Sequence, residues 1–307
     1  MVYLLASIFF SATIGLLFKY SETNNLNRFT ITFTNYFVAA SICFITVLRS
    51  DLSLLNLINS DIGFFWEELL IVIRNKDMHF SDQNSLLFCI LLGGCTGWLY
   101  FSAFIYYQIS VAKNGINLSA MFSRLGILIP MLIAIFFWQE IPTKIQFVGI
   151  LMSLSSIVIT NLNFGNQVQI HKKSLLSLFF FAGLGVFCNK IFQKYALIEH
   201  TQLFLFCIFG SALLVSIKPL LINLKQIVVK DISIGILIGI SNLLTTLFLI
   251  SALNHVAAAV VFPLFSAGAI VLVMLGGKFI FRESMTRKNL IAILMTIIAL
   301  VIINLKI

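Results

Sequence analysis

The sequence predicts an all-α integral membrane protein of ten transmembrane helices, arranged as two inverted five-helix repeats. Three observations predict it. Of the 307 residues, 60% are hydrophobic and 10% charged, with a mean hydropathy of +1.05, which leaves too little polar side chain to coat a water-soluble globule. The apolar residues fall into ten stretches of about 20 residues, the length that crosses the hydrocarbon with every backbone hydrogen bond made internally. The two halves of the chain also carry one local pattern at a fixed spacing. The same composition excludes disordered, collagen-like, disulfide-scaffold and soluble-enzyme classes. The formal charge of +9 comes from bases beside hydrophobic spans, so membrane orientation and lipid headgroups account for it and no nucleic-acid partner is expected.

Span one, Val2 to Phe18, has no positive segment ahead of it and no small-residue cleavage site, so it is expected to stay in place as a helix. Span two runs from Phe29 to Leu48. The connection after it, Arg49 to Asn84, holds six of the eleven acids and an apolar run, Ile62 to Ile73, too short and too charged to cross. An interfacial helix is expected there, with a partner-binding element as the alternative. Spans three to five are Ser85 to Tyr107, Asn117 to Trp138 and Ile145 to Asn161. The second half supplies Ser174 to Lys194, Thr201 to Leu221, Ile232 to Leu253, Val256 to Phe281 and Leu290 to Leu305. Cys43, Cys89, Cys95, Cys188 and Cys207 all lie in apolar stretches, where a thiol acts as a small hydrophobe, and neither a disulfide nor a metal site is expected.

The internal repeat is the most informative feature. Trp138-Gln139-Glu140-Ile141-Pro142-Thr143-Lys144 matches Phe281-Arg282-Glu283-Ser284-Met285-Thr286-Arg287, and Ile150-Leu151-Met152-Ser153 matches Ile293-Leu294-Met295-Thr296. The offset is 143 residues, from Glu140 to Glu283 and again from Asn161 to Asn304, and Phe122-Ser123 falls on Phe265-Ser266. After spans one and six, Tyr20 and Tyr195 are 175 apart, an excess of 32 that the insertion explains. Five spans per half is an odd number, so the second half must enter the bilayer from the opposite side. The expected division is therefore 1–165, a first five-helix repeat with an insertion at 49–84, and 166–307, a second repeat. Inverted repeats around a central site are a common construction of secondary transporters.

Ten spans in a five-plus-five repeat, with a short Glu-x-x-Thr-(Lys/Arg) hairpin before the last helix of each half, resemble the drug/metabolite transporter superfamily and its EamA-type members. The pattern covers nearly the whole chain except the insertion. The resemblance implies that spans one to four and six to nine enclose a substrate cavity, that five and ten pack outside it, and that both termini are cytoplasmic. It implies substrates drawn from amino acids and other metabolites, nucleotide sugars, phosphorylated sugars and cationic drugs. The charges oppose that orientation. With the amino terminus inside, seven bases lie inside and eleven outside, the reverse of the positive-inside rule, so the reading leaves orientation open.

No carboxylate lies deep in a span, which argues against a proton-coupled exporter of lipophilic cations. Bases do enter the membrane region: Arg124 is seven residues past Asn117, roughly 10 Å into span four, and Lys190 lies within span six. A guanidinium holds a carboxylate or phosphate through two parallel hydrogen bonds and an ammonium adds a mobile charge, a pair suited to an anionic or zwitterionic metabolite. The competing reading is that both snorkel to headgroups. Asn189, Asn35, Asn242 and Thr245 place hydrogen-bonding groups at depth, either to join helices or to line a wet cavity. Trp98 and Tyr100 offer an aromatic wall for a ligand or simple bundle filling. These eight are the candidate substrate-binding residues. Glu140 and Glu283 are expected to serve their hairpins, with Thr143 and Gln146 forming a capping box and Thr286 its counterpart. Gly93, Gly94 and Gly97 permit close helix approach, Pro130 and Pro263 bend their spans, and His255 is an interfacial residue.

The expected function is secondary transport, by alternating access, of a small anionic or zwitterionic metabolite such as an amino acid. The setting is multi-pass in a plasma membrane, the inner membrane of a bacterium, with export the expected direction. No catalytic residue, cofactor or metal is expected. Small-molecule substrate and membrane lipids are the partners, while proton or ion coupling and a homodimer stay open. The alternatives are a flippase of lipid-linked substrates on the same fold, a cationic-drug exporter, and a membrane-embedded enzyme, for which no constellation of acids, histidine or metal ligands is present.

Overall fold

The computed structural model describes residues 1–49, 62–75, 78–114, 116–161, 171–222, 227–282 and 287–304; among them there are twelve α-helices and no strand. Glu283 and Thr286, named above, lie outside the described residues. The helices are α1 (Val2–Thr23), α2 (Arg28–Arg49), α3 (Ile62–Arg74), α4 (Asp82–Asn114), α5 (Ile116–Leu125), α6 (Leu128–Trp138), α7 (Lys144–Asn161), α8 (Lys172–Tyr195), α9 (Thr201–Ile222), α10 (Val229–Leu253), α11 (Ala258–Phe281) and α12 (Arg287–Asn304), with a 3-10 turn at Ile198–His200. Seven of these, α1, α2, α4, α8, α9 with its preceding turn, α10 and α11, are long and apolar enough to cross a membrane. The protein is therefore built as a multi-pass membrane protein, and its outer surface carries Phe9, Phe37, Phe136, Leu214 and Phe279 in the open, which hydrocarbon tolerates and water does not.

The other three expected spans depart from single uninterrupted helices or fall outside that set. Span four is two helices, α5 and α6, meeting at Gly126 and Ile127. Pro130 explains the break, because it has no N–H to donate to the Gly126 carbonyl four residues back and its ring crowds that oxygen. The ladder shifts there to shorter-range bonds, Ile127 N–H to the Arg124 carbonyl (3.4 Å) and Ile129 N–H to the Gly126 carbonyl (3.0 Å). Spans five and ten are α7 and α12, 18 residues each, which pack on one another through the hydroxyls of Ser156 and Thr296 (2.9 Å).

Contacts at the helix ends define two faces of the bundle. On the first, Tyr3 stacks on His255, Phe80 N–H bonds the Tyr195 carbonyl, and Glu140 reaches the start of α11. On the second, Asn27 N–H bonds Asp231 and Lys113 meets His171. Each helix thus runs against the next, and packing follows a regular scheme. α1 lies against α10 and α11, α8 against α4, α5 and α6, α2 against α9 and α10, and α4 against α9. At the α4–α9 crossing a Cβ on Gly97 would collide with the Ser211 hydroxyl and the Ile208 carbonyl, so only glycine lets the two backbones meet there. α11 is the interior helix, with 72% of its span buried.

The apolar run in the insertion forms α3, matching the helix expected from Ile62 to Ile73. Phe65 and Val72 are buried against Phe80, and Phe65 and Phe80 stack at 5.7 Å. Glu68 ties α3 to the start of α4 by accepting from the Ser81 N–H (2.6 Å), the Ser81 hydroxyl (2.9 Å) and the Asn84 amide, a carboxylate at a helix N-terminus where the dipole favours it. The capping box of α7 is also in place, with Gln146 N–H donating to Thr143 Oγ1 (3.3 Å) and Thr143 N–H to Gln146 Oε1 (3.0 Å).

Candidate substrate site

Arg124 occupies the last turn of α5, immediately before the break, where a cation complements the helix dipole. Its guanidinium faces α1, with Nη1 3.4 Å from Ser11 Oγ, and the Tyr107 phenol of α4 lies close enough to act on it electrostatically. Its carbonyl accepts from Ser266 of α11 (3.3 Å). The residue is thus half-buried, its side chain against α1 and α4 and its backbone against α11. No described carboxylate pairs with it. A guanidinium within a bundle is costly unless it is paired or hydrogen-bonded.

Lys190 is placed differently from a free substrate ligand. It is 3% exposed, pairs with Glu140 Oε1 at 2.5 Å, donates to Gln193 Oε1 (2.7 Å) and lies 5.6 Å from the Trp138 ring centre. The other oxygen of Glu140 accepts from the Ala258 N–H, the first residue of α11, at 2.7 Å. One carboxylate therefore joins α8, α11 and the α6–α7 connection at the first face. Glu140 has the structural role expected of it, but the bond is between distant helices rather than within its own hairpin.

Asn189 points its amide at the Tyr100 hydroxyl (2.8 Å), while its Oδ1 is fully buried without a partner. A buried acceptor left open costs about 1–3 kcal/mol, so the pair of Asn189 and Tyr100 is a second candidate contact point between α8 and α4. Asn35 and Asn242 bond one another across α2 and α10 at 3.2 Å. Thr245 gives its hydroxyl to the Ser241 carbonyl of its own helix, and its carbonyl accepts from Ser7 of α1 (2.9 Å). These three join helices. Trp98 stands apart: it is half-exposed on the outside of α4, edge-on to Phe181 at 5.6 Å, about 200° around the helix from Tyr100. Sequence reasoning missed the contact of Ser11 with Arg124, which has no local signal, and the pairing of Lys190 with a residue 50 positions away. It also missed His200, buried between Ser85 (2.9 Å) and Asp82 (3.2 Å) on the first face.

No family model matches the chain. No curated protein matches it. Among solved structures, one described only as "Crystal structure of protein" is similar with a TM-score of 0.71 and 14% identity, over 99% of this chain and 96% of that one. At that identity the likeness is one of fold, and it extends from end to end of the helical bundle.

Proposed function

We propose that the protein is a secondary transporter of the drug/metabolite superfamily type, moving a small carboxylate- or phosphate-bearing metabolite through a site centred on Arg124. The observation that carries this reading is the broken span four, with Arg124 in the last turn of α5 just before the break and no carboxylate paired with its guanidinium among the described residues. Discontinuous helices whose ends meet within the membrane are where carriers of this kind bind their cargo. Ten crossings in two inverted halves fit the same reading: α7 and α12, at about 27 Å each, nearly match the hydrocarbon thickness. The packing scheme has the pattern that exchanging the halves requires, since α1 on α10 answers to α8 on α4, and α2 on α10 to α9 on α4. In this account Glu140, Lys190 and the start of α11 hold the first face closed, and transport requires them to part.

The charge distribution favours an orientation opposite to that of the superfamily. Among the residues whose side chains are described, the second face carries Lys19, Arg28, Lys113, Lys172, Lys173, Lys218, Lys230, Lys278, Arg282 and Arg287 against Asp231. Among the same described residues the first carries Arg49, Arg74, Lys144, Lys190 and Lys194 against Glu67, Glu68, Asp82, Glu140 and Glu199. By the positive-inside rule the second face is cytoplasmic and the described amino terminus lies outside.

The test is ligand-dependent thermal stabilisation of the purified protein over a panel of anionic and zwitterionic metabolites, followed by uptake in proteoliposomes. At least one such ligand is expected to stabilise the wild type and the Arg124→Lys variant less, and to leave Arg124→Ala unaffected. Equal stabilisation of wild type and Arg124→Ala by every active ligand contradicts the assignment.

A further inference from the structure

A cavity of about 320 Å³ lies away from Arg124, at the first face, between α3, the start of α4, the end of α6 and the end of α8. Leu69 and Ile73 of α3, Phe137 and Trp138 of α6, and Ile191 and Tyr195 of α8 are among its walls. Its two polar wall groups, Trp138 Nε1 and the Tyr195 hydroxyl, bond one another at 2.9 Å and so offer little to water. It is a groove open on its outer side, and an apolar groove of this size suits an apolar guest. The residues around it are those that face hydrocarbon: Ile73 is 55% and Phe137 70% exposed, and Phe64, Trp66 and Leu70 of α3 point outward. Any guest that enters from the side arrives through the bilayer. Arg74, exposed in the last turn of α3 and next in the chain to Ile73, supplies a positive charge beside the wall.

We propose that this cavity binds one acyl chain of an anionic glycerophospholipid, with the lipid phosphate held by Arg74. The chain then lies against the ring of Trp138, the same ring that Lys190 overlies while paired with Glu140, so the lipid braces the closed first face from its outer side. The lipid site itself does not depend on the identity of the transported substrate.

Quenching of Trp138 fluorescence by phospholipids brominated on the acyl chain tests it. In the 307-residue chain carrying Trp66→Phe and Trp98→Phe, Trp138 is the remaining tryptophan. Brominated phosphatidylglycerol is expected to quench it in nanodiscs, and the filled-cavity variant Leu69→Phe with Ile191→Phe is expected to lose most of that quenching. Arg74→Gln, a surface change that leaves the fold alone, is expected to reduce the preference for brominated phosphatidylglycerol over brominated phosphatidylcholine roughly fivefold. Quenching unchanged by filling the cavity, or no quenching at all, overturns the acyl-chain site. Preference unchanged by Arg74→Gln overturns the phosphate contact.

Discussion

Removing the carboxylate of Glu140 exposes how the first face is held. Glu140→Ala strands the Lys190 ammonium, 3% exposed, with Gln193 as its remaining hydrogen-bonded partner, and opens the first N–H of α11. Breaking a buried pair from the side that leaves the deeper charge alone costs about 3–5 kcal/mol, and the lost cap adds about 1 kcal/mol. Lys190→Met behaves differently, because Glu140 is 20% exposed, retains the Ala258 N–H, and faces a side chain of similar length without charge. Its expected cost is within about 1 kcal/mol. The double variant, with no charge left buried, should recover to within about 2 kcal/mol of wild type, most of that residue being the missing cap. Reversible unfolding by SDS in mixed micelles, read on all four proteins, measures the cycle. Lys190→Met as damaging as Glu140→Ala, or a double variant no better than Glu140→Ala, refutes the argument that the ammonium is the costly member.

Three further outcomes follow from the packing and the charges. Gly97→Ala forces a methyl into the α9 backbone and is expected to destabilise by about 1–3 kcal/mol, whereas Gly94→Ala meets nothing within 4 Å and is expected to be neutral or stabilising; thermal unfolding of the two side by side checks it. The Asn35–Asn242 bond is expected to show a coupling of about 0.6 kcal/mol, and below about 2 kcal/mol, in a double-mutant cycle with leucine. Impermeant thiol reagent added to intact cells should label a cysteine placed at Thr23→Cys poorly and one at His255→Cys well if the second face is cytoplasmic; the reverse pattern restores the superfamily orientation.

Seven of the ten expected spans were legible because crossing hydrocarbon demands length and apolarity, both local properties. α3 was legible for the same reason, as an apolar run too short to cross. The break at Gly126 was half-legible: Pro130 signalled a bend, but the shift of the Gly126 carbonyl to Ile129 N–H, beside the close approach of Gly126 to Gly183 of α8, has no signal in the sequence. The apolar span of α4 ends at Tyr107 as expected, and the helix itself runs on to Asn114. Among the site residues, Arg124 stood out since a base within a span is rare. Its contact with Ser11 did not, because nothing in a sequence pairs residues 113 positions apart. Lys190 stood out on the same ground as Arg124, and only the fold separates them, by giving Glu140 to one. Trp98 and Tyr100 could have been separated by helical angle alone, since two residues place them on nearly opposite sides.

The central claim is a site beside Arg124 that opens to each side of the membrane in turn. Ser11, whose hydroxyl lies 3.4 Å from the guanidinium, is the position to probe. With the five native cysteines replaced, Ser11→Cys is expected to react with small impermeant thiol reagents applied from either side of a sealed vesicle, and to be protected by a transported ligand. A cysteine there that reacts from neither side, or from one side alone under every condition, contradicts the account.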